Sequence, residues 1–183
     1  FINMSFEVLQ RPLYPWDAWT QWATKAKVFF EHQGMVSFAT LDTYLTADAA
    51  VVFTDAAPTY PPTISILRAF TALAIGRFDD ALINVPWLSC WVFLCSAFYG
   101  QARAWGMSPV AAMLATYALG SLPFINTHVA LAGYAELHMA TVYGLGAIAF
   151  FSWAGVANAG AKTNSKRQLL LSVFLLLACL EIK

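Results

Sequence analysis

The residues best suited to chemistry lie together near the start of the chain, at residues 14–27. This segment holds one carboxylate, Asp17, together with three tryptophans and two lysines. A carboxylate can accept a proton from a hydroxyl group, and an ammonium group can bind an anion. Trp and Tyr settle at the headgroup level of a membrane, because their apolar rings carry an N–H or O–H that needs a wet partner. The segment therefore predicts a polar site at a membrane surface, with Asp17 facing out of the lipid.

The composition indicates an integral membrane protein. Hydrophobic residues make up 60% of the chain and charged residues 11%, with a mean hydropathy of +0.61, whereas about a quarter of a soluble domain is charged. The runs at 85–99 and 137–156 lack the polar stripe of a globular helix and the alternation of a strand. The three cysteines all lie in apolar stretches. They are therefore predicted to be small buried hydrophobic residues rather than disulfide partners or zinc ligands.

The predicted fold is all-α, a polytopic transmembrane helix bundle with an external juxtamembrane helical region. Residues 1–84 form the external loop and juxtamembrane helices, including a helix from about residue 16 to residue 30. Residues 85–183 form the bundle, with about four spans predicted at 85–102, 109–127, 137–156 and 168 to the end. Because the chain starts at Phe1 and stops just after an apolar run, we expect it to be a fragment whose last span is truncated.

The run at 62–75 decides the topology. It is shorter than the roughly 20 apolar residues of a span, and it carries Arg68, which costs about 2.5–3.5 kcal/mol at the bilayer centre. We therefore interpret it as an interfacial helix that does not cross. This topology leaves the basic segment 162–167 in the cytoplasm, as the positive-inside rule favours, whereas the alternative in which 62–75 crosses would place that segment outside. It places Asp17 and Glu136 on the same, external side.

Three segments together resemble a known family: WDAW at 16–19, YPP at 60–62 and GYAEL at 133–137. They are similar to the N-terminal half of membrane glycosyltransferases of the GT-C type, which include the protein O-mannosyltransferases and the lipid A aminoarabinose transferase. The resemblance covers most of the chain. It implies an enzyme that transfers a sugar from a polyprenyl-phosphate carrier to an acceptor hydroxyl of a glycan, lipid or protein. The reaction would take place at the periplasmic, extracellular or lumenal face. Membrane lipids are the other expected partners, and nucleic acid is not expected.

The resemblance also implies roles for individual residues. Asp17 corresponds to the essential acid of the first external loop and suits the base that deprotonates the acceptor. Glu136 corresponds to a second acid, although the family usually has Asp there. Tyr60 introduces the Pro-Pro motif and is a candidate substrate contact. No cofactor is required, but Glu136 and His138 leave a divalent metal open, even though residues two apart do not share a helical face.

Cations and aromatic rings complete the candidate site. Lys25 lies eight residues after Asp17, about 80° around an ideal helix, and could hold the carrier phosphate from the same face. Arg68 either snorkels to the headgroups or meets an anion. Trp19 and Trp22 could stack on a sugar or prenyl chain, or anchor the helix at the interface. The alternative for Asp17 is an acid that complements the helix dipole.

Other functions fit the same composition. A polytopic transporter or channel subunit is the main alternative, and it would place polar groups at mid-bilayer, often in broken helices. A non-catalytic subunit of a membrane assembly is a third. The adjacent acids Asp79 and Asp80 are predicted to lie in a solvated loop, where they could also gather acceptors.

Overall fold

The computed structural model describes residues 2–46, 52–158 and 162–182 of the 183-residue chain. Secondary structure within these ranges is helical, and they contain no strand beyond two isolated bridges, Phe38 with Phe53 and Ala132 with Tyr134. The all-α prediction is confirmed for the described chain. Residues 47–51 of the predicted external region and 159–161 before the basic segment lie outside the described residues.

Nine α-helices are described. They are α1 (Ile2–Gln10), α2 (Thr24–His32), α3 (Leu41–Thr46), α4 (Thr63–Ile75), α5 (Val85–Ala104), α6 (Pro109–Gly120), α7 (Pro123–Ala130), α8 (Glu136–Asn158) and α9 (Lys162–Ala178). A π-helix at Ala18–Ala23 leads directly into α2, and short 3-10 turns lie at Leu82–Asn84 and Cys179–Glu181. The helix predicted at 16–30 and the helical run at 62–75 are both confirmed. The short helices α1 and α3 were not predicted, because helices of this length depend on packing more than on propensity.

The chain forms two compact units. The first contains residues 1–88 and 127–135, and the second contains residues 89–126 and 136–183. The sequence prediction divided the chain at residue 84 and did not group 127–135 with the N-terminal segment.

The first unit is built on α2 packed against α4. Ala26 and Phe29 of α2 and Ala69 of α4 are buried against each other, with Val36, Phe38 and Phe78 packed around them. Each helix ends in a left-handed residue. At Gln33 φ is 50°, and at Gly76 φ is 80°; in both cases the N–H donates to carbonyl groups of the last turn.

The second unit contains α8 and α9 packed side by side. The contacts pair early residues of α8 with late residues of α9, so the two helices are antiparallel: Gly146 lies against Leu175 and Leu176, and the Cys179 thiol lies 4.0 Å from the Met139 carbonyl oxygen. A Cβ at Gly146 would be 3.1 Å from Leu176, whereas a Cβ at Gly144 would meet nothing within 4 Å. The small residue at Gly146 therefore allows α8 and α9 to pack closely, whereas Gly144 has open space around it.

Two described helical segments are long and apolar enough to cross a membrane, Leu82–Ala104 and Glu136–Gly155. The pair Pro109–Gly120 and Pro123–Ala130 adds a third only if it counts as one span, because it is bent by 59°. Two of the about four expected spans thus correspond to described helices that are long and apolar enough to cross, and the four-span bundle stays a prediction. The described α9 has 17 residues and begins within the basic segment.

The surfaces of these helices are apolar. Phe93 of α5, Phe151 of α8 and Phe174 of α9 are each about two-thirds exposed. Large apolar side chains left exposed along several helices mark a membrane or protein contact surface rather than a surface in water. The membrane class predicted from composition agrees with this pattern.

Candidate functional site

Asp17 lies at the start of the π-helix that precedes α2. The preceding Pro15 carbonyl accepts hydrogen bonds from the N–H groups of Ala18 and Trp19 at 3.0 and 3.3 Å, which begins the helix. The Asp17 side chain makes no capping bond, and within the described part of the chain its carboxylate has no hydrogen bond or ion pair. The residue is half-buried. This leaves a carboxylate whose acceptor sites are open to a ligand.

The three tryptophans around Asp17 have different environments. Trp16 and Trp19 are 69% and 46% exposed and pack edge to face, with ring centres 5.3 Å apart. Trp22 is buried and its ring lies 5.7 Å from that of Tyr60. The π-helix explains the difference, because its i→i+5 hydrogen bonds widen the turn and a three-residue repeat no longer follows one stripe. Trp22 therefore belongs to the interior of the first unit, while Trp19 remains available at the surface.

Lys25 is buried, with 2% of its surface exposed. Its ammonium lies 3.3 Å from the Asp55 carboxylate and donates to the carbonyl oxygens of Ala57 at 2.7 Å, Tyr60 at 3.3 Å and Pro58 at 3.4 Å. These contacts hold the loop at 55–60 onto α2. A role for Lys25 in binding a donor phosphate stays a prediction, and its observed ligands are groups of the protein itself.

Asp55 is the buried partner of this cation. Burial raises the pKa of the Asp55 carboxyl above its usual value, while the charge of Lys25 and a hydrogen bond from the Ala57 N–H act in the opposite direction. The sequence analysis did not identify Asp55, because nothing local in the sequence links it to a lysine thirty residues earlier.

The turn at 60–62 leads into α4. Pro62 is the N-cap residue, and its carbonyl accepts from the Ile66 N–H at 2.8 Å. Tyr60 is partly exposed, and it joins this turn to α2 through its ring contact with Trp22 and its carbonyl contact with Lys25. The Tyr-Pro-Pro motif thus positions the start of α4 against the helix that follows Asp17.

Arg68 connects three segments of the first unit. It is fully buried in α4, and it donates from Nη1 to the Ala18 carbonyl at 3.1 Å and from Nη2 to Asn84 Oδ1 at 3.0 Å. Its guanidinium carbon lies 4.5 Å from the centre of the Trp87 ring, a cation–π distance. Burial lowers the pKa of Arg68 to about 9, with the charge of Asp80 opposing the shift, so the group remains charged at neutral pH.

This environment differs from both expectations for Arg68. The guanidinium does not snorkel to a surface, and in the described ranges it forms no ion pair with a carboxylate. It donates instead to a backbone carbonyl and an amide oxygen, which stabilise a buried cation through hydrogen bonds. Asn84, which the sequence analysis missed, also donates from Nδ2 to the Asp80 carbonyl at 3.0 Å.

Gly133 lies against the same cluster. Its φ is 131°, and a Cβ at this position would overlap Ala18 and lie 2.7 Å from Arg68 Nη2. Next to it, the Tyr134 carbonyl accepts from Trp87 Nε1 at 2.9 Å. Gly133 therefore packs closely against the side chain of Ala18, the residue directly after Asp17. Two of the three segments that carry the family resemblance meet here.

Glu136 and His138 lie at the start of α8 in the second unit, and both are half-buried. Asp17 belongs to the first unit, so a cavity shared by the carboxylates of Asp17 and Glu136 stays a prediction. Among the described residues, no three His, Cys, Asp or Glu side chains are close enough together to hold one metal ion.

The adjacent acids Asp79 and Asp80 have different roles. Asp79 accepts from the N–H groups of Leu82 and Ala81 at 3.0 and 3.1 Å and pairs with Arg77 at 3.0 Å. These contacts, led by the Leu82 N–H, lower the pKa of Asp79. Asp79 thus caps the 3-10 turn. Asp80 points into a surface groove that also contains Trp19.

Comparison of the chain with protein-family models, with curated proteins and with solved structures finds no match. The resemblance to GT-C glycosyltransferases therefore stays a hypothesis carried by the segments at 16–19, 60–62 and 133–137.

Proposed function

We propose that this chain is part of an integral membrane, multi-pass enzyme that transfers a sugar from a polyprenyl-phosphate carrier to an acceptor hydroxyl at the external face. The observation that carries the proposal is the state of Asp17. Its carboxylate is half-buried and lacks any hydrogen bond or ion pair within the described ranges, and it lies beside the exposed indoles of Trp16 and Trp19. A carboxylate in this state can accept the proton of an acceptor hydroxyl.

The surroundings of Asp17 support a role as a base. A general base must be held within hydrogen-bonding distance of the proton that it removes. The backbone after Asp17 is held from two sides, by the hydrogen bond from Arg68 to Ala18 and by the close approach of Gly133. A charge that merely complemented a helix dipole would not need such fixation.

The leaving phosphate requires positive charge. Lys25 is already bound to Asp55, and Arg68 is enclosed. Arg68 nevertheless carries a charge that no described carboxylate neutralises by contact, so it contributes positive potential to the surface above it.

A lipid-linked donor requires an enzyme that remains in the membrane. The two helical segments long and apolar enough to cross support this location. The external orientation rests on the positive-inside distribution of the basic segment at 162–167. The acceptor can be a glycan, a lipid or a protein.

One observation favours the alternative of a transporter or channel subunit. The 59° bend between α6 and α7 resembles the discontinuous helices that bind substrates in transporters. Asn126 donates across this break to the Gly120 carbonyl at 3.1 Å, so a polar side chain satisfies the interrupted backbone. Solute flux in proteoliposomes without any lipid-linked sugar would favour this alternative.

The test of the glycosyltransferase proposal is Asp17→Asn in the full-length protein. The amide keeps the shape of the side chain but cannot act as the base, so transfer should fall by roughly 10²- to 10⁴-fold while donor binding changes little. Asp42→Asn is the matched control, because Asp42 lies exposed in the first turn of α3. Transfer at the parental rate by Asp17→Asn would overturn the proposed role.

A further inference from the structure

A groove of about 340 Å³ opens on the first unit beside the π-helix. Ligand pockets typically have volumes of about 300–1,000 Å³, so the groove can hold one small ring. Its walls come from the π-helix, from the start of α2 and from the turn after α4, and the residues are Leu13, Trp19, Ala23, Thr24, Lys27, Phe78 and Asp80.

Two opposite charges face this groove without pairing. Lys27 and Asp80 are both exposed, and in the described part of the chain neither side chain forms a hydrogen bond or an ion pair. Asp80 interacts with Arg68 only through charge. By contrast, the neighbouring Asp79 is fully engaged in capping. The groove thus offers an ammonium donor and a carboxylate acceptor, both with free hydrogen-bonding capacity.

The apolar wall is an exposed indole. Trp19 is 46% exposed, and the π-helix keeps it outside while Trp22 is buried. The face of an aromatic ring carries partial negative charge and attracts the polarised C–H groups of a saturated ring. An exposed indole that lines the groove beside a hydrogen-bond donor and an acceptor suits a ring that is apolar on its face and hydroxylated at its rim.

We infer that this groove binds a sugar ring, with Trp19 under the ring and Asp80 and Lys27 bound to its hydroxyl groups. One facing charge of each sign favours a neutral ligand, because Asp80 would repel a phosphate that Lys27 attracts. A neutral polyol meets no such conflict. The inference rests on the proposed function in one respect, namely that the ring is the sugar of the donor or of the acceptor.

Binding can be measured without transfer. The protein is placed in phosphatidylcholine nanodiscs that contain no glycoside detergent, and saturation-transfer NMR is recorded with methyl glycosides of mannose, glucose, galactose and arabinose. At least one glycoside should bind, with a Kd of roughly 1–10 mM. Trp19→Ala should weaken this binding about tenfold or more, because it removes the stacking surface. Asp80→Asn and Lys27→Met should each weaken it by a smaller factor.

Trp105→Ala is the matched control, because Trp105 is 59% exposed but does not line the groove. It should leave binding unchanged. A second arm compares polyprenyl-phosphate mannose with polyprenyl phosphate lacking the sugar. The protein should bind the sugar-bearing lipid more tightly than the lipid without sugar. If Trp19→Ala abolishes this preference, the ring is the sugar of the donor. If methyl glycosides bind but polyprenyl-phosphate mannose binds no more tightly than polyprenyl phosphate, the ring belongs to the acceptor.

The inference and the proposed function can fail separately. Glycoside binding that depends on Trp19, in a full-length protein without transfer activity, would support the groove and reject the transferase. Active transfer with an unchanged KM in Trp19→Ala and Asp80→Asn, together with no glycoside binding, would overturn the groove and leave the transferase in place. Equal binding of both lipids with no glycoside binding would also overturn it and would assign the groove to lipid phosphate.

Discussion

Arg68 donates a hydrogen bond from Nη1 to the carbonyl oxygen of Ala18 at 3.1 Å, across fifty residues of sequence. This bond fixes the backbone immediately after Asp17 to the middle of α4. Gly133, in a third segment of the chain, packs against both Ala18 and Arg68. The position of the proposed base therefore depends on contacts that are remote in sequence.

The first prediction concerns Gly133→Ala. A side chain here would be strained at φ 131° and would overlap Ala18 and Arg68. We expect the free energy of unfolding to fall by about 1–3 kcal/mol because of the strained backbone and by about 1–3 kcal/mol because of overpacking. Thermal unfolding in detergent measures the total. Gly106→Ala is the control, because Gly106 has φ 89° but open space around it. Equal losses in the two variants would show that the packing against Ala18 and Arg68 contributes nothing.

The second prediction concerns the buried pair of Lys25 and Asp55. Lys25→Met leaves the Asp55 carboxylate buried without its cation, which should cost about 3–5 kcal/mol at pH 7. The double variant Lys25→Met with Asp55→Leu should recover most of this loss, because it removes both charges. Lys27→Met, at an exposed position on the same helix, should change stability by only about 0.5 kcal/mol.

The loss in Lys25→Met should depend on pH in a defined direction. Burial already raises the folded pKa of Asp55 above 3.8, and removing Lys25 removes an opposing effect and raises that pKa further. Such a group contributes stability that is complete below its unfolded pKa and is lost as pH rises through the folded pKa. The deficit should therefore shrink as the pH is lowered from 7 toward 3.8. The free energies of unfolding of Lys25→Met and of the parent protein, measured across this pH range, check the prediction. A difference between them that grows as the pH is lowered would contradict it.

The third prediction concerns the packing of α8 on α9. Gly146→Leu places a side chain where even a Cβ would be 3.1 Å from Leu176, so it should push the helices apart and cost about 1–3 kcal/mol. Gly144→Leu makes the same gain in helix propensity as Gly146→Leu, but its side chain would enter open space. It should therefore leave the stability of the protein unchanged or increase it. Unfolding by sodium dodecyl sulfate titration compares the two. Similar results for both variants would contradict the observed packing.

The sequence alone determined the features that depend on local composition and length. Apolar runs with few charges indicated helices long enough to cross a membrane, and the structure has them at Leu82–Ala104 and Glu136–Gly155. Local signals also predicted the helix beginning near Trp16 and the helical run at 62–75, which is α4. These features are predictable because helix propensity, proline geometry and hydropathy act over only a few residues.

Tertiary structure alone decided how the charged and aromatic side chains are used. Lys25 was placed by sequence on the face of Asp17, but the fold buries it against Asp55. Arg68 was expected at a surface or beside an anion, but it donates to Ala18 and Asn84. The physical reason is that a buried charge must find hydrogen-bonding partners, and these partners come from whichever distant segments the packing brings near it. No local pattern in the sequence specifies that choice.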